Sequence, residues 1–421
     1  MPPPSGWYQQ NMPDLGGRTL TDMIFLDSLV GFATTNNLSG HDTGYILMTS
    51  NSGENWIKIF NSGNRFNKII FYDSVGYACG GSGSGTGYIC KTTNRGINWF
   101  SLNHPGAAEY MGMSVLNKDT LWLIDYDWLV GGVYRTTNGG QNWSLIWNYP
   151  GENPTKIYMY NARIGFICND VNHLYKTTDG GFNWTFMNGG GFGDIYFLDS
   201  LTGYKCEPVV KKTTDGGMSW ENQVIPNTGA PNSFFEFSFI NKDTIWGVGG
   251  RIPFGSMSYR GIIYKTTNGG INWGYQLPDT SISIIRYNYL SFINRLNGWA
   301  YYTGNRGVHT TTGGSDTTIY TSVNNNISIS NQNYELFLNY PNPFNSITNV
   351  KFKMLNSGFA EIKVYDITGK MIRVLTSKKY EAGEHTVRFD AAGLPSGVYF
   401  YMLLIDEGRE YRETRKLILI K

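Results

Sequence analysis

Short runs of alternating apolar and polar residues, closed by Gly-, Asn- and Asp-rich turns, fill most of this chain. Their length and alternation predict half-buried β-strands. Two patterns take turns. The first is an aromatic strand, a polar turn, then Gly and an aromatic: IFLDSLVGF (Ile24–Phe32), IIFYDSVGY (Ile69–Tyr77), IYMYNARIGF (Ile157–Phe166) and IYFLDSLTGY (Ile195–Tyr204). Looser copies are MSVLNKDTLW (Met113–Trp122), FSFINKDTIW (Phe237–Trp246) and LSFINRLNGW (Leu290–Trp299), which makes seven. The second is an octapeptide, Thr-x-Asn/Asp-x-Gly-x-x-Trp, with six complete copies at Thr49–Trp56, Thr92–Trp99, Thr136–Trp143, Thr177–Trp184, Thr213–Trp220 and Thr266–Trp273.

A repeat of roughly 40–50 residues made of short strands reads as a β-propeller. We expect four strands per blade: a (the IxFxDS run), b (from Gly-aromatic), c (into the two threonines) and d (from the Trp). A seventh, broken octapeptide, TTTGG, lies at Thr310–Gly314 without its Trp. SGWYQQ (Ser5–Gln10) resembles INWGYQ (Ile271–Gln276), so Trp7 is expected to fill that gap and close a seven-blade ring. An open ring would leave unpaired sheet edges. In the octapeptide, Asn or Asp followed by Gly favours a tight turn, and the hydroxyls and amides can bond their own backbone. Asn51, Asn94, Asn138, Asp179, Asp215 and Asn268 are therefore read as turn holders. Trp56, Trp99, Trp143, Trp184, Trp220 and Trp273 are read as plugs between blades.

The octapeptide resembles the Asp-box, or BNR repeat, of sialidase-type propellers. Its pairing with FxDS–GY is most similar to the photosystem II assembly-factor type of propeller domain, over roughly residues 6–318. That family includes glycoside hydrolases, sorting receptors and assembly factors, and its boxes are structural turns. The resemblance implies fold and leaves function open.

After Gly314 the composition changes. Residues 315–333, rich in Ser, Thr and Asn, read as a polar linker between a propeller at 1–314 and a small Ig-like β-sandwich at 334–421, with tight turns at 367–369 and 395–397. NYPNPFN (Asn339–Asn345), VYDITGK (Val364–Lys370), AGEHTVRFD (Ala382–Asp390), LPSGVYFY (Leu394–Tyr401) and KLILIK (Lys416–Lys421) resemble the C-terminal sorting domain of the type IX secretion pathway. The resemblance implies a bacterium of the Bacteroidota type, secretion or display on the outer cell surface, and partners in the secretion machinery and its sortase.

Composition narrows the partners. With 421 residues and a formal net charge of +2, the chain has room for one large core and a small second domain, and no pull toward nucleic acid. No apolar run reaches membrane-span length. The start, MPPPSGWYQQ, is unlike a signal peptide, so a processed or truncated N-terminus is expected. No Cys/His cluster has metal-site spacing and no Gly-rich loop enters a helix, so neither metal nor cofactor is expected. Cys79, Cys90, Cys168 and Cys206 read as small core residues, with Cys79–Cys90 the one pair that could bridge.

Ligands should meet the face formed by b–c turns and d–a connections, where the loops are unequal. Asp125, Asp127 and Trp128 would put two carboxylates and a ring on one hairpin, which suits a sugar. Arg251, Tyr259 and Arg260, with Arg286 and Arg306 nearby, suit an anionic ligand. Arg251-Ile252-Pro253 copies a sialidase motif, but that motif belongs before the first box and here follows the fifth. Glycosidase chemistry needs two facing carboxylates. Asp42, Glu109, Asp125, Asp127, Glu152 and Asp279 are candidates, and nothing in their spacing pairs any two. The reading is a non-catalytic module that binds a glycan or a surface protein, with an Asp-box-type glycoside hydrolase, sialidase- or xyloglucanase-like, as the alternative.

Overall fold

The computed structural model describes residues 5–36, 43–82, 85–104, 106, 108–127, 130–150, 153–206, 208–230, 233–255, 258–314, 334–354, 356–366, 370–405 and 411–420. The linker expected at 315–333, the turn at 367–369, and Asp42, Trp128 and Glu152 lie outside the described residues. The chain divides into two compact units, 1–323 and 324–421. No helix among the described residues is long and apolar enough to cross a membrane.

The first unit holds seven four-stranded antiparallel sheets. Sheets 1 to 6 each use four consecutive strands, within 19–60, 65–101, 109–150, 154–187, 194–222 and 236–276. Sheet 7 is composite: Tyr289–Phe292, Gly298–Tyr301 and Arg306–Thr310 are joined by the N-terminal strand Tyr8–Asn11 at the outer edge. Tyr8 pairs with His309 and Gln9 with Val308. Seven separate hydrophobic clusters each draw on two neighbouring sheets, and one of them joins sheet 7 to sheet 1 through Trp299, Tyr301, Phe25 and Trp56. The sheets thus form a closed propeller.

The two sequence patterns meet at these seams. Phe25, at the end of strand a, pairs with Gly31 at the start of strand b. A Cβ on Gly31 would sit 2.6 Å from the Phe25 ring, so only Gly lets that ring lie against the strand. The ring then stacks 3.6 Å from Trp299 of the preceding sheet and takes the edge of Trp56 from its own octapeptide at 5.7 Å. Phe71 repeats this with Phe32 and Trp99, and Phe197 with Phe166 and Trp220.

Each octapeptide folds the same way. The Gly N–H bonds the first Thr Oγ1, as in Gly181 to Thr177 at 3.0 Å, and that hydroxyl donates to the Asn or Asp side chain, as in Thr177 to Asp179 at 2.8 Å. A backbone N–H of each turn also bonds the a–b turn of its own sheet: Ser52 to Leu29, Arg95 to Ser74, Gly139 to Asp119, Gly180 to Arg163, Gly216 to Leu201, Gly269 to Asp243 and Gly313 to Leu296. The octapeptides and a–b turns therefore share one end of every sheet, and the b–c and d–a connections share the other. All four cysteines are buried free thiols, and Cys79 pairs across the strands with Ile89 rather than Cys90.

The seventh box is completed in two parts. Gly314 N–H bonds Thr310 Oγ1 at 2.8 Å, as in the six intact copies. Trp7 is fully buried, with its edge on Phe292 at 6.1 Å, and its indole N–H donates to Gln276 at 2.9 Å. A Cβ on Gly6 would lie 2.6 Å from the Gly314 carbonyl carbon, so the N-terminal segment docks directly on the broken turn.

The second unit packs two sheets around one core. Tyr334–Leu336, Ile347–Met354 and Gly383–Asp390 form a three-stranded sheet. Met371–Tyr380, Gly358–Tyr365, Gly397–Ile405 and Tyr411–Leu419 form a four-stranded one. Their inward faces meet through Val350, Phe352, Ile362, Val364, Tyr401 and Leu403.

Trp7→Ala should lower unfolding free energy by about 3–5 kcal/mol, as for other buried Trp truncations. Urea unfolding checks this. An unchanged midpoint would mean that the N-terminal strand does not hold the ring shut.

Candidate functional site

Asp125 lies in sheet 3 and Asp127 just after its second strand, away from the arginines on sheets 6 and 7. Asp125 is 3% exposed, so it is no solvated hairpin tip. Its carboxylate accepts Gly132 N–H at 2.5 Å and Tyr134 Oη at 3.2 Å, which holds the hairpin together. Burial pushes its pKa up, against those two hydrogen bonds, with Asp127 adding to the rise. Asp127 is half-buried. Glu109, another candidate acid, is committed to Arg65 at 3.0 Å and Asn67 at 2.9 Å.

Three of the four arginines, Arg260, Arg286 and Arg306, meet at the connection from sheet 6 to sheet 7. The b–c hairpin of sheet 6 is the longest in the ring, with strands Ile245–Phe254 and Ser258–Thr266. On it, Arg251 stacks over the Tyr259 ring at 4.0 Å and Arg260 over Phe254 at 5.0 Å. Arg260 is buried and donates to the carbonyls of Pro278 and Asp279 at 2.5 and 2.6 Å. Gly261 N–H bonds Ile284 O, and exposed Arg306 reaches Ser283 O at 3.4 Å. Arg286 lies over Phe235 at 5.0 Å. The connection from sheet 6 to sheet 7 is therefore gripped by Arg260, Gly261 and Arg306 and carries Arg286. Phe235 and Phe254, the rings that orient two of them, were not singled out from sequence. Arg260 acts as a clamp for the connection, while Arg251, Tyr259 and Arg306 remain open to solvent to different degrees.

A second constellation lies on the innermost strands. Three residues before Phe25, Phe71, Met159, Phe197, Phe239 and Phe292, strand a of sheets 1, 2, 4, 5, 6 and 7 carries Asp22, Lys68, Lys156, Asp194, Glu236 and Tyr289. Lys68 feels Asp22 of its neighbour and also Glu236 and Asp194 from distant sheets, so all of them face the common axis. Each acid also ties two sheets: Asp22 accepts Ile69 N–H, Asp194 accepts Phe237 N–H and Glu236 accepts Leu290 N–H at 2.8–2.9 Å. Lys68 bonds Asp22 at 3.1 Å, and its side chain keeps 38% exposure within the enclosing walls. Burial opposes its charge, but the three acids outweigh that and hold its pKa above the usual lysine value. Burial pushes Glu236 well above the usual carboxylate range. Lys68 opposes this, and Asp22 and Asp194 reinforce it. Aligning the repeats column by column is the sequence signal that would have found this collar.

The comparisons with known proteins fit both units. Residues 339–421 match the family of secretion system C-terminal sorting domains. This tail marks a secreted or outer-surface protein handled by the type IX machinery. No curated protein matches the chain. Among solved structures, "YCF48 bound to D1 peptide" superposes with a TM-score of 0.55 at 16% identity, covering 73% of this chain and 97% of that one. YCF48 from Cyanidioschyzon merolae gives 0.54 at 16%, covering 72% and 98%. The GH74 enzyme of Niastella koreensis gives 0.53 at 13%, covering 98% and 74%. At such identities the likeness is one of fold.

Glu236→Gln keeps an acceptor for Leu290 N–H and removes the titration. An acid whose folded pKa is raised costs stability once pH passes its unfolded value, 4.5. The Gln variant should therefore gain on the native protein as pH rises above 4.5. Thermal melts from acid to neutral pH test this, and parallel curves would contradict the assigned environment.

Proposed function

We propose that this protein is a secreted or cell-surface binding module, without catalytic activity, whose ligand is a glycan or protein presenting anionic groups. One observation carries the reading: the guanidinium of Arg251 sits over the solvent-open Tyr259 ring, 4.0 Å from its centre, on the longest hairpin. A stacked Arg keeps its outward N–H groups pre-oriented, so it can bond a carboxylate or sulfate with little further ordering. Exposed Arg306, at the start of a strand of sheet 7, is a second guanidinium open to solvent.

Proteins of this fold include one solved with a peptide and one described as a GH74 enzyme, so side chains must decide. Of the candidate acids, Asp125 and Glu109 are already committed to structural hydrogen bonds. That favours binding over two-carboxylate hydrolysis. The sorting tail supplies the location, since its export route ends outside the cell.

Two measurements test the reading. Arg251→Ala should weaken binding on a glycan array or to a captured surface protein by about 1–3 kcal/mol, the usual range for an anchoring Arg, with the melting temperature unchanged. Hydrolysis of a glycan by the native protein, abolished by Asp127→Asn, would favour the glycosidase instead. Deleting residues 334–421 should leave the propeller folded while the protein stays in the periplasm. Normal surface delivery of the shortened chain would refute the export role of the tail.

A further inference from the structure

The third residue of strand b is small or apolar in six of the seven sheets: Ala33, Ala78, Leu123, Ile167, Gly247 and Ala300. In sheet 5 it is Lys205, only 2% exposed. A buried ammonium in an apolar column carries a large desolvation cost. Its cross-strand partner is a second lysine, Lys211, and like charges directly opposite each other destabilise a sheet. Among the described residues no carboxylate bridges either one. Both lysines hold the connection from sheet 4 to sheet 5 through its glycine carbonyls, but that grip leaves two positive charges without a described carboxylate to balance them.

Lys205 and Lys211 line a cleft of about 340 Å³ between sheets 4 and 5, with Asn172, Gly190, Pro208 and Val209. Lys205 Nζ donates to the carbonyls of Gly189, at 2.9 Å, Gly190 and Gly191, at 3.2 Å, and lies 4.9 Å from the Trp220 ring. An ammonium has three protons, so Lys205 is fully bonded and contributes charge at the floor of the cleft. Among the described residues Lys211 Nζ donates only to Gly189 O, at 3.1 Å, which leaves two N–H groups for a ligand. Pro208 and the exposed Val209 form an aliphatic wall of the kind that packs on the C–H face of a sugar ring.

We propose that this cleft binds an acidic monosaccharide unit, with its carboxylate on Lys211 above the buried charge of Lys205 and its ring against Pro208 and Val209. The site is on sheets 4 and 5 and does not depend on the arginine surface of sheets 6 and 7. Burial lowers the Lys205 pKa to about 7; Lys211 also lowers it and the Cys168 thiol raises it slightly. A bound carboxylate favours the charged ammonium, so affinity should be highest below pH 7 and fall as pH rises through it.

Galacturonate and galactose share a ring and differ in the carboxylate, which makes them a direct probe by titration calorimetry on the full chain. Galacturonate should bind at least about tenfold more tightly than galactose, and Lys211→Met should remove about that advantage without moving the melting temperature. Binding near neutral pH should take up protons, seen as a dependence on buffer ionisation heat. Loss of the galacturonate preference in Lys211→Met, in a protein whose arginine surface on sheets 6 and 7 is intact, separates this site from that surface. Equal binding of the two sugars, no binding of either, or an unaffected Lys211→Met variant would overturn the proposal. An acetylated dipeptide with a free C-terminus binding more tightly than galacturonate would reassign the cleft to peptide.

Discussion

The ring depends on one side chain, the aromatic that ends strand a. Phe25 touches three partners: Gly31 on the next strand, Trp56 of its own octapeptide, and Trp299 of the preceding sheet. Two are in its own sheet and one is in the neighbour. The two motifs are therefore halves of one contact, which is why they recur together along the chain. Aromatic pairs of this kind add about 0.5–1.5 kcal/mol each beyond burial. More important is where they sit. An isolated sheet would expose one half of every such contact, so no blade is stable alone and the ring must close. Sheet 7 meets that requirement with a Trp from the opposite end of the propeller sequence.

This coupling explains what could be read from the sequence. Alternation located the strands, and the count of seven aromatic runs against six complete octapeptides pointed to Trp7. Local turn chemistry is also visible in sequence, because Thr177, Asp179 and Gly181 bond within a few residues of one another. Contacts across the axis are not. Lys68 and Glu236 are far apart in sequence and meet only when the ring is closed, so neither stood out as a candidate. Asp125 misled for a related reason. Its position near the end of a strand reads as a tip, yet the hairpin runs further and turns the carboxylate inward to Gly132 and Tyr134. The arginines near sheet 6 were legible as residues, but not the rings they lie on, since Phe254 and Phe235 look like ordinary strand positions.

The two ends of the propeller follow different constraints. At the octapeptide end, seven equivalent backbone hydrogen bonds join the c–d turn to the a–b turn, and the same hydroxyl holds each turn. Little there can vary without loosening a blade. At the other end the hairpins differ in length and the connections wander, so side chains can change with little effect on the frame. The solvent-open arginines and the Lys205 cleft are both at that end.

A repeat protein also carries its own control. Seven copies of one structural position show what the frame requires there, and a copy that departs at an energetic cost needs a separate reason. Most departures here are cheap: Val115 or Met159 where other sheets have Phe still fills the seam. The position three residues before the seam residue of strand a is different, because it mixes acids and lysines, yet each acid there also ties two sheets through a backbone N–H. That collar is accounted for by the frame. Lys205 is not. Its column is otherwise uncharged, its neighbour repeats its sign, and its hydrogen bonds are spent on three glycine carbonyls that other sheets do without. A buried charge that no described carboxylate balances, at the floor of a cleft on the variable end, is where a ligand would supply the counter-charge.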